Sequence, residues 1–161
     1  MAPVLLVEDD PNDALLVSRA FRQAGVARPL VVARDGQQAI DFLEFMSRDR
    51  WALPPPALLL LDLQMPRLSG FDVLVWLRAR PEFNSLPAVV LSSSPQAPDM
   101  LMARELGAAD YRVKPSHLED LVKLVRELHA CWLGPRPAAM IPTYKSQVRT
   151  FAPKLAALPG K

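Results

Sequence analysis

Polar and charged side chains follow four short apolar segments of this 161-residue chain. They are Glu8, Asp9, Asp10, Asp62, Ser92 and Lys114. Carboxylates brought close together repel one another by about 1 kcal/mol per pair in water and about 4 kcal/mol near a protein surface. A divalent cation and one lysine would offset that repulsion. The residue types therefore predict a cation site with a nearby ammonium group.

Hard oxygen ligands with room for water suit Mg²⁺, with Mn²⁺ as the alternative. Zinc is disfavoured because no histidine or cysteine is placed to help, and His117 and His129 are interpreted as surface or helix-end residues. No glycine-rich phosphate loop or dinucleotide fingerprint follows the first apolar segment, which disfavours nucleotide binding. A flavin-dependent redox function would need a Ser/Thr loop after the same segment, and the sequence has none at that place.

Asp62 stands at the centre of the pattern. It follows four leucines at residues 58–61, with prolines at 54–56 and at 66 on either side. Such a run is typical of a strand that is buried on both faces of a parallel sheet. Ligands bind at the carboxyl ends of such strands. Taken alone, Asp62 could equally start a turn, and only the other polar strand ends favour a site.

Five strands are predicted to alternate with five helices. The strands are at residues 3–7, 30–33, 58–61, 88–91 and 111–113, and the helices at 11–25, 37–46, 69–77, 98–107 and 116–128. Leu15 and Leu101 are assigned to apolar helix faces, and Ser116 with Glu119 to a capping box. The alternation predicts a doubly wound parallel sheet, in which all the strand carboxyl ends meet at one edge.

Composition limits the protein class. Half of the residues are hydrophobic, enough for the core of one domain. The single cysteine, Cys131, excludes an intramolecular disulfide, fits the cytoplasm and is expected to act as a small apolar side chain. No signal peptide and no membrane-spanning stretch is expected.

Charge separates the end of the chain from the rest. Residues 1–132 carry 14 basic and 17 acidic side chains, whereas residues 133–161 carry five basic and no acidic ones. We therefore predict a domain at 1–133 and a proline-rich basic arm or tail at 134–161. An arm packed on a partner subunit and a disordered tail both stay open. The apolar anchors of such an arm would be Ile141, Tyr144, Val148, Phe151 and Leu155. Nucleic-acid binding would need basic residues on a folded surface, and the sequence gives no sign of such a surface.

Residues 5–10, 60–66, 91–93 and 107–115 resemble, in order and spacing, the response-regulator receiver domain of two-component signalling. The resemblance covers residues 3–132. It implies a flavodoxin-like receiver fold with strand order 2-1-3-4-5. It also implies a signalling protein that catalyses only its own phosphorylation and dephosphorylation, rather than an enzyme with an external substrate.

The resemblance also implies roles for individual residues. Asp62 would be the phosphoacceptor for a sensor histidine kinase. Glu8 and Asp9 would line a Mg²⁺ pocket, with Asp9, Asp62 and the backbone carbonyl of Gln64 as ligands, and Asp10 would cap the first helix. Lys114 would pair with the phosphoryl oxygens. Ser92 and Tyr111 would be the switch residues. Gln64 and Ser94 would tune the lifetime of the acyl phosphate.

The expected output is a change in the surface of the fourth helix, fifth strand and fifth helix. In this family the bond between residues 114 and 115 is usually cis. Residues 35–43, the loop at 47–56 and the helix end at 131–133 resemble stand-alone receivers paired with bacterial phytochrome kinases. That resemblance implies a homodimer formed through the last helices and the arm. A phosphorylation-independent dimeric scaffold is the alternative function.

Overall fold

A five-stranded parallel sheet forms the centre of the computed structural model, which describes residues 1–48 and 54–134. Its strands are β1 (Val4–Val7), β2 (Leu30–Ala33), β3 (Leu58–Leu61), β4 (Ala88–Ser92) and β5 (Asp110–Val113). Their order is β2-β1-β3-β4-β5, and each neighbouring pair is parallel. The predicted doubly wound sheet and its strand order are confirmed.

Helices cover both faces of this sheet. They are α1 (Pro11–Gln23), α2 (Gly36–Arg48), α3 (Gly70–Arg78), α4 (Ala97–Glu105) and α5 (Leu118–Leu128). A 3-10 turn at Pro81–Phe83 follows α3, and a π-helical turn at His129–Leu133 follows α5. Every side chain of β1 and β3 is buried. Successive strand residues face opposite sides, so β3 supplies Leu59 and Leu61 to the core under α2, α3 and α4, and Leu58 and Leu60 to the core under α1 and α5.

Two expected core positions are exposed instead. Leu15 on α1 is 49% exposed and Leu101 on α4 is 61% exposed. Each lies two residues before a buried residue of its helix, Val17 or Ala103. At 3.6 residues per turn, two positions are about 200° apart around the helix axis, so both cannot face the sheet. Cys131, expected to act as a small apolar side chain, is also exposed.

The predicted capping box at Ser116 is wrong. His117 is the N-cap of α5 and makes no side-chain capping bond, because the helix begins one residue too late for Ser116 to hold that place. A capping box exists at α3, where the Ser69 side chain accepts the Asp72 N–H and the Asp72 carboxylate accepts the Ser69 N–H at 2.8 Å. It fixes the start of the helix that follows the loop at residues 62–69, which we call the Asp62 loop.

Three further expectations concern the peptide bond before Pro115, the absence of a membrane span and the arm at 134–161. No peptide bond is cis within 1–48 and 54–134, so the expected cis bond before Pro115 is not found. No helix in those ranges is long and apolar enough to cross a membrane. Apart from Gly134, the predicted arm at 134–161, with its five anchors and its dimer contacts, lies outside the described part of the chain.

Arg78 is a buried cation that the sequence analysis did not single out. It ends α3, is 6% exposed and donates hydrogen bonds to three backbone carbonyls. The acceptors are Gly107 at 3.0 and 3.1 Å, Phe83 at 3.1 Å and Leu86 at 3.2 Å. One guanidinium therefore ties α3 to the turn before β4 and to the turn before β5.

Candidate functional site

Backbone hydrogen bonds continue the sheet past the ends of its strands. The Glu8 N–H donates to Ala33 at 3.0 Å, and the Asp62 N–H donates to Val7 at 3.0 Å. The Lys114 N–H donates to Ser92 at 2.8 Å. Each polar residue is thus held by the neighbouring strand, which brings residues far apart in sequence to one edge, as predicted.

Three carboxylates meet at this edge. One oxygen each from Glu8, Asp9 and Asp62 lies within 4.8 Å of the other two. Glu8 is 2% exposed and Asp62 is 7% exposed, while Asp9 is half-buried. Oxygens bound to one Mg²⁺ lie about 3 to 4 Å apart, because each Mg–O distance is about 2.1 Å. The three oxygens therefore need only a small contraction to hold Mg²⁺, and the partial exposure of Asp9 leaves room for water ligands.

Lys114 lies against this cluster and is bound to one of its members, Glu8, and to Asp13. Its ammonium nitrogen is 2.5 Å from Glu8 Oε2 and 2.9 Å from Asp13 Oδ2, and its side chain is 7% exposed. Lys114 forms no ion pair with Asp62 in the described part of the chain. Asp13 was missed by the sequence analysis. Its place in the first turn of α1, next to the acidic segment at residues 8–10, was the available signal.

The burial of these charges shifts their pKa values. Burial raises the pKa of Asp62, and Lys114 offsets only part of that rise. Burial also raises the pKa of Glu8, against the opposing effect of its hydrogen bond with Lys114. Burial would lower the pKa of Lys114, but the hydrogen bonds with Glu8 and Asp13, together with the negative charges of Asp62 and Glu8, outweigh burial and raise it. Without a cation, the site holds more negative charge than one lysine neutralises.

This imbalance predicts that Asp62→Asn stabilises the metal-free protein at neutral pH. We expect its free energy of unfolding to rise by about 1 to 3 kcal/mol, the range measured for burying a polar group without adequate partners. The pKa of Asp62 is higher in the folded state. The carboxylate therefore costs stability above that pKa, and the cost fades as pH falls through it.

Urea unfolding in EDTA at several pH values measures this effect. The difference between variant and wild type should shrink as the pH is lowered, and saturating Mg²⁺ should reverse it by stabilising the wild type more. A variant that is less stable than wild type in EDTA at pH 7 would contradict the electrostatic interpretation.

Ser92, Ser94 and Tyr111 form a second group beside the carboxylates. Ser92 is fully buried at the end of β4, and its hydroxyl accepts the Ser94 N–H at 3.2 Å. The Ser94 hydroxyl donates to Asp99 Oδ2 at 2.5 Å. The Tyr111 hydroxyl donates to the Ser94 carbonyl at 2.7 Å. This hydrogen bond therefore links Tyr111 on β5 to the loop that joins β4 to α4.

Gln64 and Asp10 lie at the margin of the site. Gln64 is exposed, and its backbone N–H donates to Asp62 Oδ1 at 3.4 Å. The Asp10 side chain accepts the N–H groups of Asn12 at 2.7 Å and Asp13 at 3.2 Å. Asp10 is thus the N-cap of α1, as predicted.

Gly70 determines how closely α3 approaches the Asp62 loop, and it too was missed. A Cβ atom at Gly70 would lie 2.2 Å from the Asp62 carbonyl oxygen and 2.9 Å from the Leu63 Cα. The Gly70 N–H donates to the Leu63 carbonyl at 3.1 Å. Only glycine permits this contact, because the atoms in the way belong to the backbone.

We expect Gly70→Ala to lower the free energy of unfolding by about 1 to 3 kcal/mol, as overpacking does. Helix propensity alone predicts a gain of about 1 kcal/mol from the same change, so the sign is diagnostic. Displacing the Asp62 loop should also weaken Mg²⁺ binding by about tenfold. Urea unfolding and calorimetric Mg²⁺ titration measure the two effects.

Gly25→Ala is the matched control, since Gly25 has φ +74° and no atom within 4 Å of an added Cβ. It should cost about 1 kcal/mol of backbone strain and leave the Mg²⁺ affinity unchanged. Equal Mg²⁺ affinity in Gly70→Ala and wild type would show that the close approach does not position the site.

The amino-acid sequence is similar to those of a known protein family. The family model described as the response regulator receiver domain matches residues 4–126. The probable methanogenesis regulatory protein FilR2 of Methanothrix harundinacea is 34% identical over 131 residues, which cover 81% of this chain and 83% of that protein. Response regulator Rcp1 of Synechocystis is 34% identical over 130 residues, covering 81% of this chain and 88% of Rcp1.

Solved structures show the same fold. The Mn²⁺-bound form of Rcp1 has a TM-score of 0.73 at 32% identity and covers 85% of this chain and 98% of its own. The phosphorylated cyanobacterial phytochrome response regulator RcpA has a TM-score of 0.75 at 30% identity and covers 84% of this chain and 96% of its own. These similarities extend over the strands and helices that position the carboxylates.

Proposed function

Because this chain belongs to the response-regulator receiver family of two-component signalling proteins, we propose that Asp62 accepts a phosphoryl group from a sensor histidine kinase. The observation that carries the proposal is the cluster at the carboxyl edge of the sheet. Asp62 is 7% exposed there, with oxygens of Glu8 and Asp9 within 4.8 Å and the Lys114 ammonium hydrogen-bonded to Glu8.

In the proposed reaction an Asp62 carboxylate oxygen attacks phosphorus in line with the leaving group. The new oxygen–phosphorus bond forms as the phosphorus–nitrogen bond of phosphohistidine breaks, and the electron pair remains on the imidazole. Asp62 needs no general base when it is ionised, and Lys114 favours that form by offsetting part of the rise in the Asp62 pKa that burial causes. Lys114 then pairs with the phosphoryl oxygens.

Glu8, Asp9, Asp62 and the backbone carbonyl of Gln64 are the residues that would hold Mg²⁺ or Mn²⁺. The bound cation would neutralise charge on the transferring phosphoryl oxygens. The Mn²⁺-bound Rcp1 structure supports this assignment, because Rcp1 shares the fold at 32% identity. Oxygen donors alone, without histidine or cysteine, also favour Mg²⁺ and Mn²⁺ over zinc.

The output that we propose is a rearrangement around Ser92 and Tyr111. Ser92 would turn its hydroxyl toward the phosphoryl group and give up the Ser94 N–H, and Tyr111 would release the Ser94 carbonyl. Gln64 and Ser94 flank the phosphoryl position and would tune its lifetime. The affected surface of α4, β5 and α5 carries exposed apolar side chains that suit a protein partner. They are Leu101, Met102 and Val113.

A phytochrome kinase is the phosphodonor that the similarity to RcpA favours. The probable methanogenesis regulatory protein FilR2 is as identical to this chain as Rcp1 is, so direct transfer assays are the test of the kinase class. A purified autophosphorylated bacteriophytochrome kinase should transfer phosphate to this chain faster than an unrelated histidine kinase does.

Intact mass after incubation with acetyl phosphate tests the proposed function. We expect one phosphoryl adduct per chain that forms with Mg²⁺ and not in EDTA. On the same samples, amide hydrogen exchange should change in α4, β5 and α5. The absence of an adduct would favour a phosphorylation-independent interaction scaffold, and an adduct with unchanged exchange would contradict the proposed output surface.

A further inference from the structure

The Lys114 ammonium group forms ion pairs with two carboxylates that differ in their access to water. The Glu8 side chain is 2% exposed and lies 2.5 Å away, whereas the Asp13 side chain is 40% exposed and lies 2.9 Å away. If the contact with Asp13 breaks, its carboxylate is rehydrated at once. Glu8 has no such compensation, so Asp13 is the partner that Lys114 can exchange.

Asp13 is held in place by its helix and is separate from the cation site. The Asp13 N–H donates to the Asp10 side chain that caps α1, which fixes the first turn of that helix. The three carboxylates whose oxygens lie together are Glu8, Asp9 and Asp62, and Asp13 is not one of them. Asp13 therefore pairs with the lysine of the site but is not one of the candidate metal ligands.

We propose that Asp13 is a positioning residue that restrains the Lys114 ammonium before phosphoryl transfer and is displaced by the incoming phosphoryl oxygens. This inference rests on the proposed transfer to Asp62. Asp13 takes no covalent part, since the oxygen–phosphorus bond forms at Asp62 and the electron pair of the broken bond leaves with the donor. Its contribution is to compete with the phosphoryl group for one lysine.

Removing the Asp13 charge should speed phosphorylation. Lys114 would then be released from a competing anion, and the approaching phosphoryl dianion would meet one negative charge less. The opposing effect, a less ordered lysine, is small because Glu8 still holds the ammonium. We expect the rate constant with acetyl phosphate at saturating Mg²⁺ to rise about threefold to tenfold in Asp13→Asn.

The experiment compares four full-length chains by time-resolved intact mass with acetyl phosphate and Mg²⁺: wild type, Asp13→Asn, Asp13→Glu and Asp41→Asn. Asp41→Asn is the matched control, because it removes an exposed carboxylate of α2 that hydrogen-bonds Gln37 and is not one of the two carboxylates paired with Lys114. Its rate should stay within about twofold of wild type. Asp13→Glu should restore a rate near wild type by restoring the competing carboxylate.

Each outcome decides the proposal. A faster Asp13→Asn with unchanged Asp41→Asn and Asp13→Glu supports the restraint of Lys114. An unchanged or slower Asp13→Asn, or equal acceleration in Asp41→Asn, overturns it while the wild-type adduct leaves the proposed function standing. No adduct in any chain overturns both.

Discussion

Asp62→Asn should abolish the phosphoryl adduct at every Mg²⁺ concentration, lowering the rate by about a thousandfold or more. The asparagine amide has nearly the shape of the carboxylate but lacks its nucleophilic charge, and removing a nucleophile eliminates the covalent step. The same change should stabilise the metal-free fold, so lost activity cannot be attributed to unfolding. Intact mass with acetyl phosphate measures the loss.

Two further variants separate the nucleophile from its neighbours. Asp9→Asn should weaken Mg²⁺ binding, so that its slow phosphorylation recovers in part as Mg²⁺ is raised. Asp41→Asn removes an exposed carboxylate of α2 that hydrogen-bonds only Gln37 among the described residues, and should phosphorylate like the wild type. An adduct that persists in Asp62→Asn would place the phosphoacceptor elsewhere.

Arg78→Leu should lower the free energy of unfolding by about 3 to 5 kcal/mol, because each buried carbonyl left without its hydrogen bond costs about 1 to 3 kcal/mol and three carbonyls are affected. The Gly107, Phe83 and Leu86 carbonyls would lose their hydrogen bonds to the guanidinium in a region from which water is excluded. Such a loss is a large part of the stability of an average domain and corresponds to roughly 10 to 20 °C in Tm. Urea unfolding provides the measurement.

Arg48→Leu is the control for Arg78. Its guanidinium is 80% exposed and pairs with Glu44 at 3.3 Å on the same helix, so the change should cost no more than about 0.5 kcal/mol. Arg78→Lys should recover little stability, because an ammonium cannot reproduce a planar fork that bonds three carbonyls. Similar losses in the two leucine variants would show that the buried bonds contribute nothing specific.

Much of the fold and of the site's residue types could be predicted from local patterns. The leucine run before Asp62 indicates a strand buried on both faces, and the structure places that strand at the centre of the sheet. Errors arose where one face of a helix had to be chosen. Leu15 fits an apolar pattern, yet only a stripe that contacts the sheet can be buried, and Val17 occupies it.

The order of apolar segments along the chain was enough to predict which polar residues meet at the sheet edge. Alternating strands and helices force a parallel sheet, and parallel strands place all their carboxyl ends together. How those residues pair depends instead on tertiary packing. Lys114 and Asp13 are 101 positions apart, and Arg78 and Gly107 are 29 apart. Their contacts, and the approach of Gly70 to Asp62, depend on distances of a few ångströms between packed elements, which no local pattern encodes.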